Sequence, residues 1–525
     1  MNALLVLFGA QLTEHALLPL TGGKNSLALT LEQSKKFPAI GKTVMLAAAD
    51  MELPDLPQLQ GVEIEKSDAW TKKSLFQAVA TAVAADAQGF DAVYFLWADC
   101  PFAEPAMAAT LAERHRNYGA QYSYADGWPY GICPEILAPG TAGILAAILG
   151  DDDGGAVTRD TMFSVIQKDI NAFDIEAEIA PVDLRAHRIS LCADTKRNRL
   201  LLSRFLEENG KIPDSADILR LIQEKPEMLR TLPAFYPVQV SSECPQNCGI
   251  CPYPKAKGAA AGKQYMEAKQ FGALLDKIAD FSGDAVIDLS LWGELALHPQ
   301  KMELIEAVLC RPTLALVIET SGLGWTMQEL EKCAQLAAQA AARKNPMPPL
   351  SWIVSLDSAD SARYKEMRGG GFVEAADCAK KLFALFPKDT YVQAVRTTGA
   401  EDDIEKFWRH WKEAAPQGEA NIIIQKYDDF CGFLEKKQAS DISPVTRAPC
   451  WHMMRDMPVL LDGTVPLCRQ ELGLLSGQSG RALGNAFQDS LEAIWEAGFP
   501  HYAQQCGKKY TGLCAGCDEY YTYNF

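Results

Sequence analysis

At 525 residues the chain is too long for one ordinary domain, and domains of about 150 residues predict two to four of them. Its 48% hydrophobic and 22% charged residues exclude disordered and fibrous classes, and no apolar run reaches the roughly 18 residues of a membrane-spanning helix, so no membrane partner is expected. A net charge of -17 repels phosphate backbones, so nucleic acid is not an expected partner either.

Met1 to Ala10 is apolar but brief, without a basic flank or a small-residue cleavage site. It reads as a buried strand and not as a signal peptide, and the expected location is cytoplasmic. Met1 to Leu206 has the pattern of an α/β domain, with strands predicted at Ala3–Phe8, Thr43–Ala48 and Ala92–Trp97. Residues 207–233 are polar, contain Pro213, Pro226 and Pro233, and read as a helical connector.

From Tyr236 to Tyr427 strands and helices alternate. The predicted strands are Tyr236–Val240, Ala285–Leu291, Thr313–Glu319, Ser351–Leu356, Thr390–Arg396 and Ala420–Gln425. Between them helices are predicted at Glu267–Phe281, Lys301–Leu309, Met327–Ala342, Phe372–Phe386 and Asp403–Ala414. Such repetition implies a parallel sheet with right-handed crossovers, and six units predict an open partial barrel over residues 234–430, with chemistry at the C-terminal strand ends. From 431 to 525 turns and cysteines replace the alternation.

Fifteen cysteines in a cytosolic chain point to metal or catalytic use, because the cytosol keeps thiols reduced. Cys100, Cys192, Cys310, Cys333, Cys378 and Cys431 stand apart and read as small buried hydrophobes. Directly after the first barrel strand comes Cys244-Pro-Gln-Asn-Cys248-Gly-Ile-Cys251. Three thiolates without a fourth nearby suit an iron-sulfur cluster whose remaining iron keeps an open coordination position. A zinc site is the alternative, and it would want four ligands.

With this spacing at this place the chain resembles the radical S-adenosylmethionine superfamily. The resemblance implies a [4Fe-4S] cluster on Cys244, Cys248 and Cys251, with S-adenosylmethionine chelated to the open iron and cleaved reductively to a 5′-deoxyadenosyl radical. It also implies an electron donor such as flavodoxin or ferredoxin. Trp292-Gly293-Glu294 resembles the Gly-Gly-Glu motif that meets the methionine amino group, with Trp292 in place of the first glycine. Glu319-Thr320-Ser321-Gly322, Ser355, Asp357 and Gln393 fall at later strand ends, where relatives place cofactor contacts. The implied cofactor-binding residues are therefore Gly293, Glu294, Thr320, Ser321, Ser355, Asp357 and Gln393. Ile250 stands where relatives carry an aromatic residue.

Near the C-terminus, Cys514-Ala-Gly-Cys517 is a two-thiolate clamp, and Asp462-Gly463 between Cys450 and Cys468 marks a turn that would fold those two thiols together. Four such cysteines suit one cluster, with a tetrathiolate zinc site as the alternative. Arg447-Ala-Pro-Cys450, Asp462-Gly463 through Cys468, and Leu483-Gly484-Asn485 ahead of Trp495 resemble the SPASM and twitch extensions of radical enzymes. That resemblance implies one auxiliary iron-sulfur cluster on Cys450, Cys468, Cys514 and Cys517, leaving Cys506 as a reserve ligand or a buried thiol. His452 and Asp456 are left unassigned.

At the other end, the strand through Trp97 runs into Asp99, followed by Tyr124-Ala-Asp126-Gly127. This resembles GT-A-like sugar nucleotidyltransferases, in which a strand-end aspartate holds a divalent metal, the role that would fall to Asp99. The phosphate loop is reduced here to Phe8-Gly9-Ala10 and Leu20-Thr-Gly-Gly23-Lys24, so a retained fold used for binding is expected rather than transfer. The order of the three regions resembles the spirochaete SPASM family. The leading expectation is a radical enzyme that oxidises or modifies a peptide or carbohydrate-type substrate. The alternatives are a nucleotide-sugar-binding or nucleotidyltransferase bifunctional protein, and a zinc-stapled binding protein without chemistry.

Overall fold

The computed structural model describes residues 2–152, 154–257, 262–341, 347–440 and 443–522. They form two compact units, the first running to Thr231 and the second beginning at Leu232.

In the first unit, β1 (Ala3–Phe8) is buried along its whole length, as a continuous apolar run requires of a strand covered on both faces. It pairs in parallel with β2 (Ile40–Ala48) on one side and β4 (Ala92–Trp97) on the other, and β3 (Glu63–Ser67) extends the sheet beyond β2. With β5 (Tyr122–Asp126), β6 (Glu135–Leu137) and β7 (Ile175–Ile179) the seven-stranded order is β3-β2-β1-β4-β6-β5-β7. Only β6 runs against its neighbours. Helices α1 (Ser26–Ser34), α2 (Lys72–Ala84) and α3 (Pro105–Asn117) bury leucine, valine, phenylalanine and methionine side chains along one side. The chain then continues as α4 (Lys196–Asn209), which ends on Gly210 in the left-handed conformation, and α5 (Ser215–Glu224), whose N-terminus is capped by Asp214.

The second unit is built on six parallel strands in sequence order: β8 (Phe235–Pro237), β9 (Ala285–Asp288), β10 (Leu314–Thr320), β11 (Leu350–Ser355), β12 (Thr390–Arg396) and β13 (Ile422–Lys426). Neighbouring strands all run in parallel, which makes an open half-barrel sheet. The connecting helices are α6 (Ala268–Ser282), α7 (Lys301–Leu309), α8 (Met327–Gln339), α9 (Ser361–Arg368), α10 (Phe372–Leu385) and α11 (Glu401–Ala414). Sequence periodicity predicts all of them but α9, which is polar except for Ala362, Tyr364 and Met367 and too short to display a period.

Beyond Pro237 the exposed edge of the first strand is covered by the C-terminal region. The Met457 and Val459 amides donate to the carbonyls of Phe235 and Pro237 (3.0 and 2.8 Å), and the Gln239 amide donates back to Val459 (2.9 Å). This pairing satisfies an edge that would otherwise be open to association. The chain then turns at Gly463, where φ of +85° and the closeness of Phe487 and Asn485 leave room for no side chain. Strand β14 (Thr464–Pro466) returns against β15 (Ala482–Asn485), and α12 (Leu491–Cys506) follows. One apolar core runs from Tyr236, Ile318 and Val354 of the sheet to Val459, Val465, Ile494 and Trp495, so the cysteine-rich region shares the core of the half-barrel.

Candidate functional site

The loop Cys244–Cys251 leaves the C-terminal end of β8 and is fastened by the unpredicted helix α9. Gly249 donates its amide to the Met367 carbonyl (3.0 Å). The Gln246 side chain donates to the Tyr364 hydroxyl (2.7 Å) and accepts from Arg368 Nε (3.0 Å), and the Cys248 thiol points to the same Gln246 oxygen at 3.7 Å. Arg368 also pairs with Asp357 at 2.5 Å, and Asp357 accepts the Val395 amide at 2.8 Å. Asp357, with φ of +60°, therefore positions the cysteine loop through Arg368 and Gln246. Burial pushes the Cys251 thiol up to about 12 and the Cys248 thiol upward, in the latter case against the Arg368 guanidinium.

Gly293 lies so close to this loop that a Cβ there would stand 2.1 Å from the Ser241 carbonyl oxygen, which explains why only glycine fits. Its predecessor Trp292 takes the left-handed conformation (φ +54°) despite its side chain, and its ring stacks on Tyr253 with centroids 6.3 Å apart. The aromatic surface absent at Ile250 is thus supplied two residues after Cys251.

Glu294, 3% exposed, accepts from the Thr320 hydroxyl (2.7 Å) and from the Ser321 hydroxyl and amide (2.6 and 2.8 Å). These donors are neutral, and among the described residues no Lys, Arg or His lies within ion-pair distance of it. Burial raises its pKa and the hydrogen bonds oppose the rise. Ser355 and Gln393 converge on Glu319 Oε1 at 2.7 and 2.8 Å. Glu319 is the hub that sequence reasoning passes over, since as the last acid of a strand it is marked only by its neighbours Thr320 and Ser321. Glu294, Thr320 and Ser321 thus form one network and Ser355, Gln393 and Glu319 another, while Gly293 packs on the Ser241 carbonyl. Asp357 belongs to the cysteine loop.

In the C-terminal region Cys450, Cys468, Cys514 and Cys517 are all partly buried, and among the described residues none of them falls in a group of three or more potential ligand atoms within 4.8 Å of one another. Burial pushes Cys450 up to about 12 and Cys468 well upward. The Arg447 guanidinium lies over the rings of Tyr510 and Tyr520 (3.9 and 4.5 Å) and donates to the Cys514 carbonyl (2.8 Å), holding the Cys514–Cys517 clamp. Cys506 packs with Cys450 against Met453, Leu467 and Tyr502. Both ring nitrogens of His452 are engaged, by Asp456 (2.6 Å) and Thr522 (3.1 Å), which is a structural role.

Two expectations for the scattered cysteines are corrected. Cys310 is exposed at the end of α7. Cys431, read as an isolated hydrophobe, is half-buried and its thiol points to the Leu513 carbonyl at 3.7 Å. Its sequence surroundings give no sign of this, because the contact spans 82 residues.

Among the described residues, the groups of at least three potential ligand atoms within 4.8 Å of one another are Asp99, Cys100 and Cys192, and Asp428, Asp518 and Glu519. The second is neutralised by Lys426, 2.9 Å from Asp518 and also paired with Glu519, and by Arg469, 3.3 Å from Asp428 and 3.2 Å from Glu519. In the first, both carboxylate oxygens of Asp99 accept from Arg159 (3.0 and 2.6 Å), whose guanidinium lies 4.3 Å over the Trp97 ring and also meets Asp194 at 3.1 Å. The Cys100 and Cys192 sulfurs are 3.5 Å apart and fully buried. Lys24, the lysine of the reduced phosphate loop, pairs with Glu32 at 2.8 Å. No helix among the described residues is long and apolar enough to cross a membrane.

Residues 8–165 match the family model of the MobA-like NTP transferase domain. Among solved structures, Streptococcus suis SuiB bound to its precursor peptide SuiA is similar at 15% identity and a TM-score of 0.41, over 61% of this chain and 84% of that one. A cytidylyltransferase from Leptospira borgpetersenii is similar at 17% identity and a TM-score of 0.37, over 43% of this chain and 95% of that one. BtrN in complex with AdoMet and 2-DOIA is similar at 16% identity and a TM-score of 0.35, over 55% of this chain and 94% of that one. An uncharacterized protein of Treponema pallidum (strain Nichols) is 35% identical over 374 residues, which cover 69% of this chain and 98% of that protein. A second uncharacterized protein of the same organism is 44% identical over 61 residues, 12% of this chain and 28% of that protein. The chain belongs to the family of the first of these Treponema pallidum proteins and carries an NTP-transferase-like domain at its N-terminal end.

Proposed function

We propose that the second unit is a radical S-adenosylmethionine enzyme on a partial (β/α)6 barrel with a SPASM or twitch-type extension. The observation that carries this reading is the Cys244–Cys251 loop at the C-terminal end of the first of six sequential parallel strands, beside a buried carboxylate, Glu294, that no cation among the described residues neutralises. Three thiols suit a [4Fe-4S] cluster with one iron left open, and an unneutralised carboxylate suits an ammonium group. When bound, the cluster and S-adenosylmethionine supply a 5′-deoxyadenosyl radical that takes hydrogen from the substrate.

The chain's own residues orient these groups. Asp357, Arg368 and Gln246 hold the cysteine loop, while Thr320 and Ser321 hold the Glu294 carboxylate against β10. Tyr253 and Trp292 offer a stacked aromatic wall. Cys450, Cys468, Cys514 and Cys517 form the auxiliary iron-sulfur cage, and the substrate is a peptide or carbohydrate-type molecule. Electrons come from a flavodoxin or ferredoxin.

The test is anaerobic reconstitution of the full chain, with iron and sulfide measured per chain, followed by reduction and assay of 5′-deoxyadenosine. About eight irons and cleavage that disappears in Cys248→Ala are expected. Zinc in place of iron with no cleavage would overturn the reading.

The match of residues 8–165 favours a second reading for the first unit, a nucleotide-binding domain. A GT-A-like site would place a divalent metal on Asp99, and magnesium-dependent nucleotide binding lost in Asp99→Ala is its test.

A further inference from the structure

The parallel sheet of the second unit has one face packed on helices and one that is not. The large core gathers Ile287, Ile318 and Val354 with helix residues such as Phe271, Leu304 and Leu382, whereas Phe235, Val286, Ala315, Val317 and Ile353 form a separate cluster of strand residues. Side chains alternate between faces along a strand, so the residues two positions further on share the face of that small cluster. They are Asp288, Glu319 and Ser355, joined by Gln393, which follows Tyr391, itself packed against the cluster. The helix-free face is therefore apolar low in the sheet and polar at the C-terminal strand ends. Asp288 pairs in register with Pro237, the last residue of β8, the strand from which the Cys244–Cys251 loop departs.

On this face three acceptor atoms meet no donor among the described residues. Asp288 takes the Ser290 amide on Oδ1 (3.0 Å) and nothing on Oδ2. Glu319 takes the Ser355 hydroxyl and the Gln393 side-chain nitrogen on Oε1 (2.7 and 2.8 Å) and nothing on Oε2. Gln393, 6% exposed, directs that nitrogen to Glu319 and Ser355, and its Oε1 accepts from no group. No Lys, Arg or His among the described residues stands within ion-pair distance of either carboxylate, and Arg469, whose charge reaches Asp288, is held instead by Asp428 and Glu519 at 3.3 and 3.2 Å. Burial pushes Asp288 up to about 7, and the Glu319 charge adds to the rise. Neither carboxylate belongs to a group of three potential metal-ligand atoms within 4.8 Å among the described residues, whereas a hard divalent ion takes about six oxygens. An ammonium group carries one charge and three N–H donors, which suits three free acceptors on two uncompensated carboxylates and an amide.

We propose that this face binds the substrate through a primary ammonium group, seated between Asp288 and Glu319 and met by the Gln393 amide oxygen. The proposal rests on the radical-enzyme reading above and narrows its peptide or carbohydrate-type substrate to one that bears an amine, whether a lysine-like side chain or an amino sugar. Asp288 and Glu319 thereby set specificity, since a substrate with a hydroxyl or methyl in place of the amine leaves both carboxylates uncompensated. Glu294 remains a separate carboxylate, held by Thr320, whose side chain leaves β10 on the opposite face from Glu319. Cofactor and substrate ammonium groups so have different partners.

The test uses the reconstituted full chain with S-adenosylmethionine bound, and calorimetry with two pairs of probes: N-acetyl-lysine amide against N-acetyl-norleucine amide, and glucosamine against glucose. In at least one pair the amine should bind about tenfold or more tighter than its neutral counterpart, as a hydrogen bond to a charged group supplies. The pair that discriminates tells the peptide source of the amine from the sugar source. Asp288→Asn and Glu319→Gln should each reduce that preference and the double variant should abolish it, while S-adenosylmethionine binding and reductive cleavage stay at the parent's level. Iron content shows that the barrel of each variant is intact, and if Glu319→Gln fails to load, Asp288→Asn carries the test. No preference in either pair overturns the proposal, as does a preference that survives the double variant. So does S-adenosylmethionine binding that weakens in the variants while the amine preference stays, which would give this face to the cofactor. A chain that takes up no iron and cleaves nothing fails the radical-enzyme reading, whereas one that loads and cleaves without amine preference fails this proposal alone.

Discussion

Both units carry an acid in the loop that follows a parallel strand, and the two acids meet opposite fates. In the first unit Asp99 is closed by a guanidinium that uses both its oxygens, and that guanidinium is itself boxed in by Trp97 and Asp194. In the second, Glu294 is held by hydroxyls and an amide, which fix its position without cancelling its charge. The lesson is that a buried carboxylate in the loop after a strand is receptive to a cationic ligand only while the fold supplies neutral partners. Once the fold supplies its own cation, an incoming metal or ammonium has to displace it and leave a buried charge behind.

The sharpest way to break this comparison is to remove the internal cation. Arg159→Met leaves Asp99, 3% exposed, without its partner, and should lower stability by about 3–5 kcal/mol in urea unfolding. Adding Asp99→Asn should restore most of it. A single variant as stable as the parent would mean that Asp99 is not closed by pairing.

Next comes Gly293→Ala, whose Cβ would press on the Ser241 carbonyl at 2.1 Å. Displacing that backbone should cost about 1–3 kcal/mol and weaken S-adenosylmethionine binding, both read on the reconstituted chain. Glu294→Gln removes the charge and keeps one acceptor oxygen, which can serve the Ser321 amide and hydroxyl, while its amide nitrogen can donate to the Thr320 hydroxyl. It should leave the melting temperature near the parent's while weakening S-adenosylmethionine binding about tenfold or more by calorimetry, as expected for a charged hydrogen bond worth about 1.5–3 kcal/mol. Asp99→Asn should leave that binding unchanged.

The smallest effect is on pH. Burial pushes Asp288, at the end of β9, up to about 7. Between its unfolded value near 4 and that value the folded chain holds a proton that the unfolded chain has released, so its contribution makes stability fall as pH rises through this window. Asp288→Asn should flatten that slope in apo-protein melts from pH 4 to 7. An unchanged slope would show that Asp288 is ionised throughout.

The alternation of strands and helices from Tyr236 onward was legible because apolar periods of 2 and 3.6 are properties of the local chain, and β12 and α7 fall where the pattern puts them. The cysteine loop was legible for the same reason, its three thiols lying within eight residues. What fastens that loop was not. Helix α9 has too few apolar residues to announce itself, and Asp357, Arg368 and Gln246 become a chain of contacts only when β11, α9 and the end of β8 are stacked.

Sequence by itself thus determined the two α/β patterns, the parallel half-barrel and the residue types that suit cluster and ammonium, since these are encoded over short spans. Tertiary structure alone decided which acids are paired with a cation and which are held by neutral donors. It also decided that segment 455–459 covers the edge of β8, and that Cys431 reaches the Leu513 carbonyl. Each of those outcomes depends on groups dozens to hundreds of residues apart, and no local period or spacing carries that information.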